Sequence, residues 1–548
     1  MRLHHILSLL GLVETITALG PGHRTSYDLK QERYKAKRAA LSKREVNPAL
    51  LYKAHNISVP IDFFPDNPRY EPHLNGTFNL RYWFDASNYK PGGPIFVLLG
   101  GETEGDGRLP FLQKGIIAQV TQATNGLGVI LEHRYYGTSF PVPNLSVENL
   151  RFLSTEQALA EIDYFARNVK FEGIDADLTA PNTPWVVYGG SYAGAQAAFA
   201  RVKYPETFWG GISSSGVTVA IYDYWQYFEP IRQFAPPITI KNHQLLIDVV
   251  DKILLPANNS AHVSTLKNAF GLGNITDKGD FGGIFTNFIS GWQSTNWDPK
   301  INSPSFFYYQ NNLTTTLNNR ATEPLRSTVK DLLSYAGYKA ETDTENIILN
   351  AINYANITSV SRWARTNLTQ DQYYTTLDAK AWQGEGIEEQ GWRSWYWQVC
   401  TEWGYIQTGN TPPEIKPIVS RTQTLEYSTF FCRAAFNISE PPNLEEVNKY
   451  GAFDIEYDRL AIIGGNADPW KEATPLATGA KPRNSTTNKP VLEIAHGVHH
   501  WEENGVFANE TTSVSPPPQV VYARQFVEDF VAQWVKEFHE TKNKHQEL

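Results

Sequence analysis

The chain has 548 residues, with 48 Lys and Arg against 57 Asp and Glu, a formal charge of −9, and 13% aromatic residues including 15 Trp. Such a chain can bury a large core, and its length predicts two or three domains, or one large domain with an insertion. It has no basic stripe, which argues against nucleic acid as a partner, and its deficit of basic residues argues against anionic membranes.

In chain order, residues 1–20 read as an export signal: Arg2 is a positive start, Ile6 to Ile16 is mostly apolar despite Glu14, and Ala18 and Gly20 are small. The alternative is a short buried helix of a cytosolic protein. Residues 21–50 form an N-terminal segment rich in Lys and Arg that passes the dibasic Lys43-Arg44. It reads equally as a propeptide or as a solvated helix. Sequons begin at Asn56, Asn75, Asn144, Asn258, Asn274, Asn312, Asn356, Asn367, Asn437, Asn484 and Asn509, a density that suits a secreted glycoprotein. No later apolar run reaches the ~20 residues that span a bilayer. The two cysteines, Cys400 and Cys432, read as one structural disulfide in an oxidising compartment.

Residues 51–218 alternate strands and helices. Thr77 to Trp83 alternates, while Pro94–Leu99 and Leu127–Leu131 are continuous apolar runs, as strands buried on both faces require. Ser154 and Gln157 make a capping-box pair ahead of a helix with Leu159, Ile162, Phe165, Ala166 and Val169 at helical spacing. Trp185-Val186-Val187 leads into Gly189-Gly190-Ser191-Tyr192-Ala193-Gly194, and Phe208 to Ser213 is a further strand candidate. This βαβ alternation implies a largely parallel sheet with helices on both faces. Between residues 219 and 440 it stops. Helical stretches such as Asn242 to Leu254 and Leu325 to Leu333 alternate with Asn/Thr-rich loops, which reads as an inserted, mainly helical cap domain. Residues 441–548 resume the α/β pattern, with Leu460–Ile463, then Val491–Ala495, then a final helix after Pro516-Pro517-Pro518.

Strand, sharp turn and small-residue helix around Ser191 form the context of a nucleophile elbow. The usual motif is G-x-S-x-G; here alanine holds the second glycine position and Gly194 follows one later. A glycine-rich βα turn is also ordinary loop chemistry, so the partners decide. A serine hydroxyl needs a base and an anchor for that base. In α/β-hydrolases the order is serine, acid, histidine, and Asp468 and His499 follow Ser191 in that order, each in a loop after a predicted strand. Asp468 taken singly reads as turn chemistry more often than as catalytic. The cluster His496, His499 and His500 lacks the His-Glu-x-x-His pattern and an obvious acidic ligand, so no metal is expected. The oxyanion of an acyl-transfer intermediate needs two N–H donors. Tyr192 should supply one, and Gly101 or Glu102, after the Pro94–Leu99 strand, the other. His133 reads as structural.

Several stretches together resemble the S28 family of serine peptidases, the prolyl carboxypeptidase and dipeptidyl peptidase II group, in its fungal secreted branch. They are Gly93 to Phe96 with Gly100-Gly101-Glu102, Glu132-His133-Arg134-Tyr135-Tyr136-Gly137 running on to Pro141, the serine turn, Gln398-Val399-Cys400-Thr401-Glu402, Asn466-Ala467-Asp468-Pro469-Trp470, and Val498-His499-His500. The resemblance implies an α/β-hydrolase fold with a helical cap and a Ser191–Asp468–His499 triad. It also implies cleavage next to proline, with the ring on an aromatic slot that includes Trp470. The family often has Leu-Asp after the histidine pair where this chain has Trp501-Glu502, so Trp501 joins Trp470 as a pocket candidate. Glu402 is a third: an aminopeptidase must hold a substrate ammonium, and Glu102 and Glu402 are the candidates.

The resulting expectation is a secreted serine exopeptidase needing no cofactor, acting on proline-containing peptides, and a carboxypeptidase in its first reading. A dipeptidyl aminopeptidase or prolyl endopeptidase of the same family, a lipase or esterase, and a catalytically silent binding protein are the alternatives. Oligomeric state is not readable from the sequence.

Overall fold

A computed structural model of the chain describes residues 46–257, 259–315 and 321–546. The expected export signal, the dibasic pair and the sequon at Asn258 lie outside them.

Among the described residues, ten strands form two sheets, in chain order β1 (His55–Pro60), β2 (Thr77–Asp85), β3 (Ile95–Leu99), β4 (Leu127–Leu131), β5 (Trp185–Gly190), β6 (Gly210–Ser214), β7 (Ile221–Asp223), β8 (Gly404–Ile406), β9 (Leu460–Gly465) and β10 (Val491–Ile494). The main sheet has eight strands in the order β1-β2-β4-β3-β5-β6-β9-β10; β7 and β8 pair apart as a two-stranded ribbon. β1 pairs antiparallel with β2 and β2 with β4, and every other pair in the main sheet is parallel. This strand order is that of the α/β-hydrolase fold.

The parallel strands are continuous apolar runs because both faces are covered. Successive side chains point to opposite faces. Phe96, Leu98, Ile130, Val186, Tyr188, Ile212, Ala461 and Ile463 form one cluster with Ile116, Ile117 and Val120 of α1 (Ile116–Thr124) and with Val527, Phe530 and Trp534 of the C-terminal helix. α2 (Thr155–Asn168) packs on α3 (Tyr192–Lys203), and α3 packs on β5 and β6. The Ser154 hydroxyl accepts from the Gln157 N–H at 3.3 Å, which is half of the expected capping box. The other half is absent: the Gln157 amide accepts from Phe63 N–H at 2.9 Å and donates to Asp62 at 2.6 Å.

The chain forms two compact units. One contains the main sheet and takes in Leu377–Asn410 and everything from Leu425 onward. The other comprises Ala235–Thr376 and Thr411–Thr424. Its helices include Pro237–Leu254, Lys278–Ile289, Glu323–Tyr335 and Thr342–Ala355. Within it, His243 lies buried between the Tyr309 hydroxyl at 2.6 Å and the Ile418 carbonyl at 2.9 Å. Burial pulls its pKa down to about 4.

Candidate active site

Ser191 joins β5 to α3 with φ 57° and ψ −125°, a region that L residues rarely adopt. Its N–H donates to the Ser214 carbonyl at 3.0 Å, and its carbonyl accepts from Val217 N–H at 3.3 Å. The turn is too tight for side chains. A Cβ at Gly189 would stand 1.9 Å from the Ala193 carbonyl oxygen, and one at Gly194 would stand 2.8 Å from the Cα of Gly216. The Ala193 methyl instead faces Gly101, 3.3 Å from where a Cβ there would stand. The alanine and the late glycine of the sequence motif both follow from these contacts.

Asp468 sits in the loop after β9 and His499 in the loop after β10. The two loops are zipped: Ala467 N–H donates to the Gly497 carbonyl at 3.0 Å, and His496 N–H donates to Asn466 Oδ1 at 2.8 Å. His499 Nδ1 is 2.8 Å from Asp468 Oδ2, and His499 Nε2 is 3.1 Å from Ser191 Oγ. An ionised carboxylate only accepts, so Nδ1 carries the hydrogen and Nε2 is open to take one. The buried Asp468 also accepts from Trp470 N–H at 2.9 Å. The His500 ring lies tilted against that of His499, with ring centres 3.7 Å apart.

Tyr192 is the first residue of α3, where backbone N–H groups have no intrahelical partner. Gly101, at φ 69°, lies against the turn beside Ala193. The Arg108 Nε holds the preceding Gly100 carbonyl at 3.1 Å. Glu102 is half-buried, and its Oε2 is buried without a hydrogen-bond partner among the described residues.

Trp470 is buried within a cluster of tyrosines. Tyr224 stacks on it at 5.6 Å, while Tyr227 and Tyr405 meet it edge-on at 5.3 and 5.1 Å. The Tyr405 hydroxyl donates to the Val217 carbonyl at 2.8 Å, one hydrogen bond from Ser191. These three tyrosines were not singled out in the sequence, although the density of aromatics from Tyr222 to Tyr227 was the available signal. Trp501 is half-buried.

Glu402 is placed differently from the expectation. It is fully buried and pairs with Arg69, while its other oxygen accepts from Thr155 N–H at 2.8 Å and from the Thr155 hydroxyl at 2.7 Å. With both oxygens engaged at the start of α2, it ties the fold together.

Sequence reasoning also missed a buried acidic pair. Glu502 and Glu503 follow the histidines, and a Cβ at Gly190 would stand 2.3 Å from Glu503 Oε1. Burial pushes both carboxyls up, Glu503 to about 8; for Glu503 its neighbour Glu502 adds to the shift and Arg108 opposes it.

Cys400 and Cys432 form a disulfide. Among the described sequon asparagines, Asn312 is half-buried and the other nine are exposed. Among the described residues, no group of three or more His, Cys, Asp or Glu is placed to hold a metal ion, and no helix is long and apolar enough to cross a membrane.

The fold and this meeting of serine, histidine and aspartate define the chain as an α/β-hydrolase. Residues 69–516 match the family model described as serine carboxypeptidase S28. The chain belongs to that family and is a serine-type peptidase. It is 47% identical over 535 residues to a probable extracellular serine carboxypeptidase of Arthroderma benhamiae, covering 96% of this chain and 74% of that one. It is 25% identical over 486 residues to the serine protease vicPb of Bipolaris victoriae, covering 86% and 88%. Among solved structures, a proline iminopeptidase from Mycobacterium smegmatis aligns at 10% identity with a TM-score of 0.31, over 89% of this chain and 100% of that one.

Proposed function

We propose that the chain is an extracellular carboxypeptidase that releases the residue following a penultimate proline. In this reading Ser191 is the nucleophile, His499 the base and Asp468 its anchor. The observation that carries it is the continuous run Asp468 Oδ2, His499 Nδ1, His499 Nε2, Ser191 Oγ at 2.8 and 3.1 Å. As Ser191 Oγ attacks the scissile carbonyl, its proton passes to His499 Nε2, and the imidazolium formed is stabilised by Asp468. The oxyanion is received by the N–H of Tyr192 with that of Gly101 or Glu102. His499 then returns the proton to the leaving amine, and water repeats the sequence on the acyl-enzyme.

Proline presents only apolar ring faces and no N–H, which suits the Trp470 cluster beside Asp468. Exposed sequons and the signal-like first 20 residues support export. A second reading, release of dipeptides from the N-terminus, is favoured by one observation: the buried, unpartnered Oε2 of Glu102, which suits an ammonium.

One digestion separates the two. A peptide with proline second from each end is offered with free ends, with an N-acetyl group, or with a C-terminal amide, and the products are weighed. Loss of one C-terminal residue, stopped by amidation but not by acetylation, is the expected result. Loss of an N-terminal dipeptide, stopped by acetylation, would replace the first reading with the second.

A further inference from the structure

Behind the nucleophile turn lies a buried set of polar side chains that the proposed chemistry leaves unused. Tyr192 Oη receives N–H groups from Gln398 at 2.6 Å and Gln196 at 3.2 Å, and lies 3.1 Å from His133 Nε2. The Gln398 amide is oriented by its oxygen, which accepts from the Tyr136 hydroxyl at 2.7 Å. His133 Nδ1 is 2.6 Å from the Arg134 carbonyl. A carbonyl only accepts, so Nδ1 carries the hydrogen and neutral His133 has a bare Nε2.

A phenol has one hydrogen and two lone pairs. Both lone pairs of Tyr192 are taken by amide N–H groups, so its own hydrogen goes to His133 Nε2. The set closes only while His133 is neutral, because an imidazolium would aim a second hydrogen at the hydroxyl. Burial holds the His133 pKa down to about 4; the hydrogen bond to the Arg134 carbonyl opposes this and the Arg134 charge adds to it. Glu102, Glu161 and Glu402 are the charges that bear on the Tyr192 hydroxyl. His133, Tyr192, Gln196 and Gln398 are all buried, and Trp395 and Trp403 clamp the Tyr192 ring edge-on at 5.4 and 5.0 Å.

Tyr192 is the residue whose backbone N–H follows the nucleophile. At the first position of a helix that N–H has no intrahelical partner. Its direction is set by the turn on one side and by the anchorage of its own side chain on the other. We infer that His133 and Gln398 are positioning residues of the reaction: by fixing the Tyr192 ring they aim its backbone N–H at the developing oxyanion. This gives the Glu-His-Arg-Tyr-Tyr-Gly stretch, remote from the triad in sequence, a share in the chemistry. It rests on Ser191 being the nucleophile.

The test uses the full chain with Tyr192→Phe, His133→Leu and His133→Gln, and Ser191→Ala as a separate arm. Loss of oxyanion alignment appears in kcat and not in KM. Tyr192→Phe and His133→Leu are expected to lose roughly tenfold or more in kcat, below the ~10²–10³ of deleting an oxyanion donor outright, with KM within about twofold. Phosphonylation by a fluorophosphonate should slow in parallel, since its tetrahedral adduct needs the same donors. His133→Leu added to Tyr192→Phe should cost little more, because both break one unit. His133→Gln, with a neutral acceptor, should recover part of the loss. Below about pH 4 the wild type should show an extra fall in kcat that Tyr192→Phe lacks.

Unchanged kcat and phosphonylation in both variants overturns the inference, as do additive losses that follow the fall in thermal midpoint. Ser191→Ala keeps the two readings apart. Retained activity there defeats the nucleophile assignment; lost activity beside normal Tyr192→Phe defeats only the positioning role.

Discussion

The backbone N–H of His496 donates to the side-chain oxygen of Asn466 at 2.8 Å. That bond joins the loop carrying Asp468 to the loop carrying His499, so the proposed base and its proposed anchor share one support. Asn466→Ala should lower kcat roughly tenfold through misplacement of the imidazole and lower stability by about 1 kcal/mol. Steady-state kinetics and a thermal melt read the two effects separately.

Replacing Asp468 by Asn keeps the shape but removes the acceptor that holds the hydrogen on His499 Nδ1. The expected loss is about 10⁴-fold in kcat, with little change in KM. A loss below tenfold would take Asp468 out of the triad.

Ala193 and Gly194 should respond in opposite ways. Ala193→Gly removes a methyl that faces Gly101, where no side chain stands, and should leave activity within about threefold. Gly194→Ala drives a Cβ to 2.8 Å from both the Gly216 Cα and the Ser214 carbonyl oxygen, and should abolish activity or soluble expression.

Stability should fall on both sides of a middle pH range. Glu503 has its folded pKa raised, by burial first, to about 8. Its contribution is complete below the unfolded carboxyl pKa and is lost as pH rises through about 8. His133 and His243 have folded values lowered, by burial first, to about 4. Their contribution is complete above the unfolded value of 6.5 and is lost as pH falls toward about 4. Melting curves across this range should peak in the middle. Glu503→Gln should flatten the alkaline side, and His243→Gln the acid side.

The disulfide closes a loop with a sequence separation of 32 and anchors the helical turn that presents Gln398 and Glu402. The double change Cys400→Ser and Cys432→Ser should cost about 2–4 kcal/mol. Activity should fall well below the denaturation temperature, because Gln398 loses its tether. A melt followed in parallel with residual activity checks this.

The frame was legible where local chemistry determines it. β3, β4 and β5 read as uninterrupted apolar runs because each is covered on both faces, and Ser191 stood out because the turn excludes side chains around it. Glu402 was not legible. Its partners Arg69 and Thr155 are remote in sequence, so nothing near it said that its charge was already satisfied. The Glu502 and Glu503 pair was visible as two letters, but not as two carboxyls packed under the nucleophile turn. The capping box was half legible, because Gln157 is drawn away by Asp62 and Phe63.

β6 and β9 lie side by side in register, with Ser213 opposite Ile462, although more than two hundred residues separate them. Everything between leaves from the end of one strand and returns to the start of its neighbour. Of that interval, Leu377–Asn410 belongs to the same unit as the main sheet and carries Gln398 and Glu402, while Ala235–Thr376 belongs to the other unit. Length and sequence can therefore drift in Ala235–Thr376 while the joint between the two strands keeps serine and histidine in place.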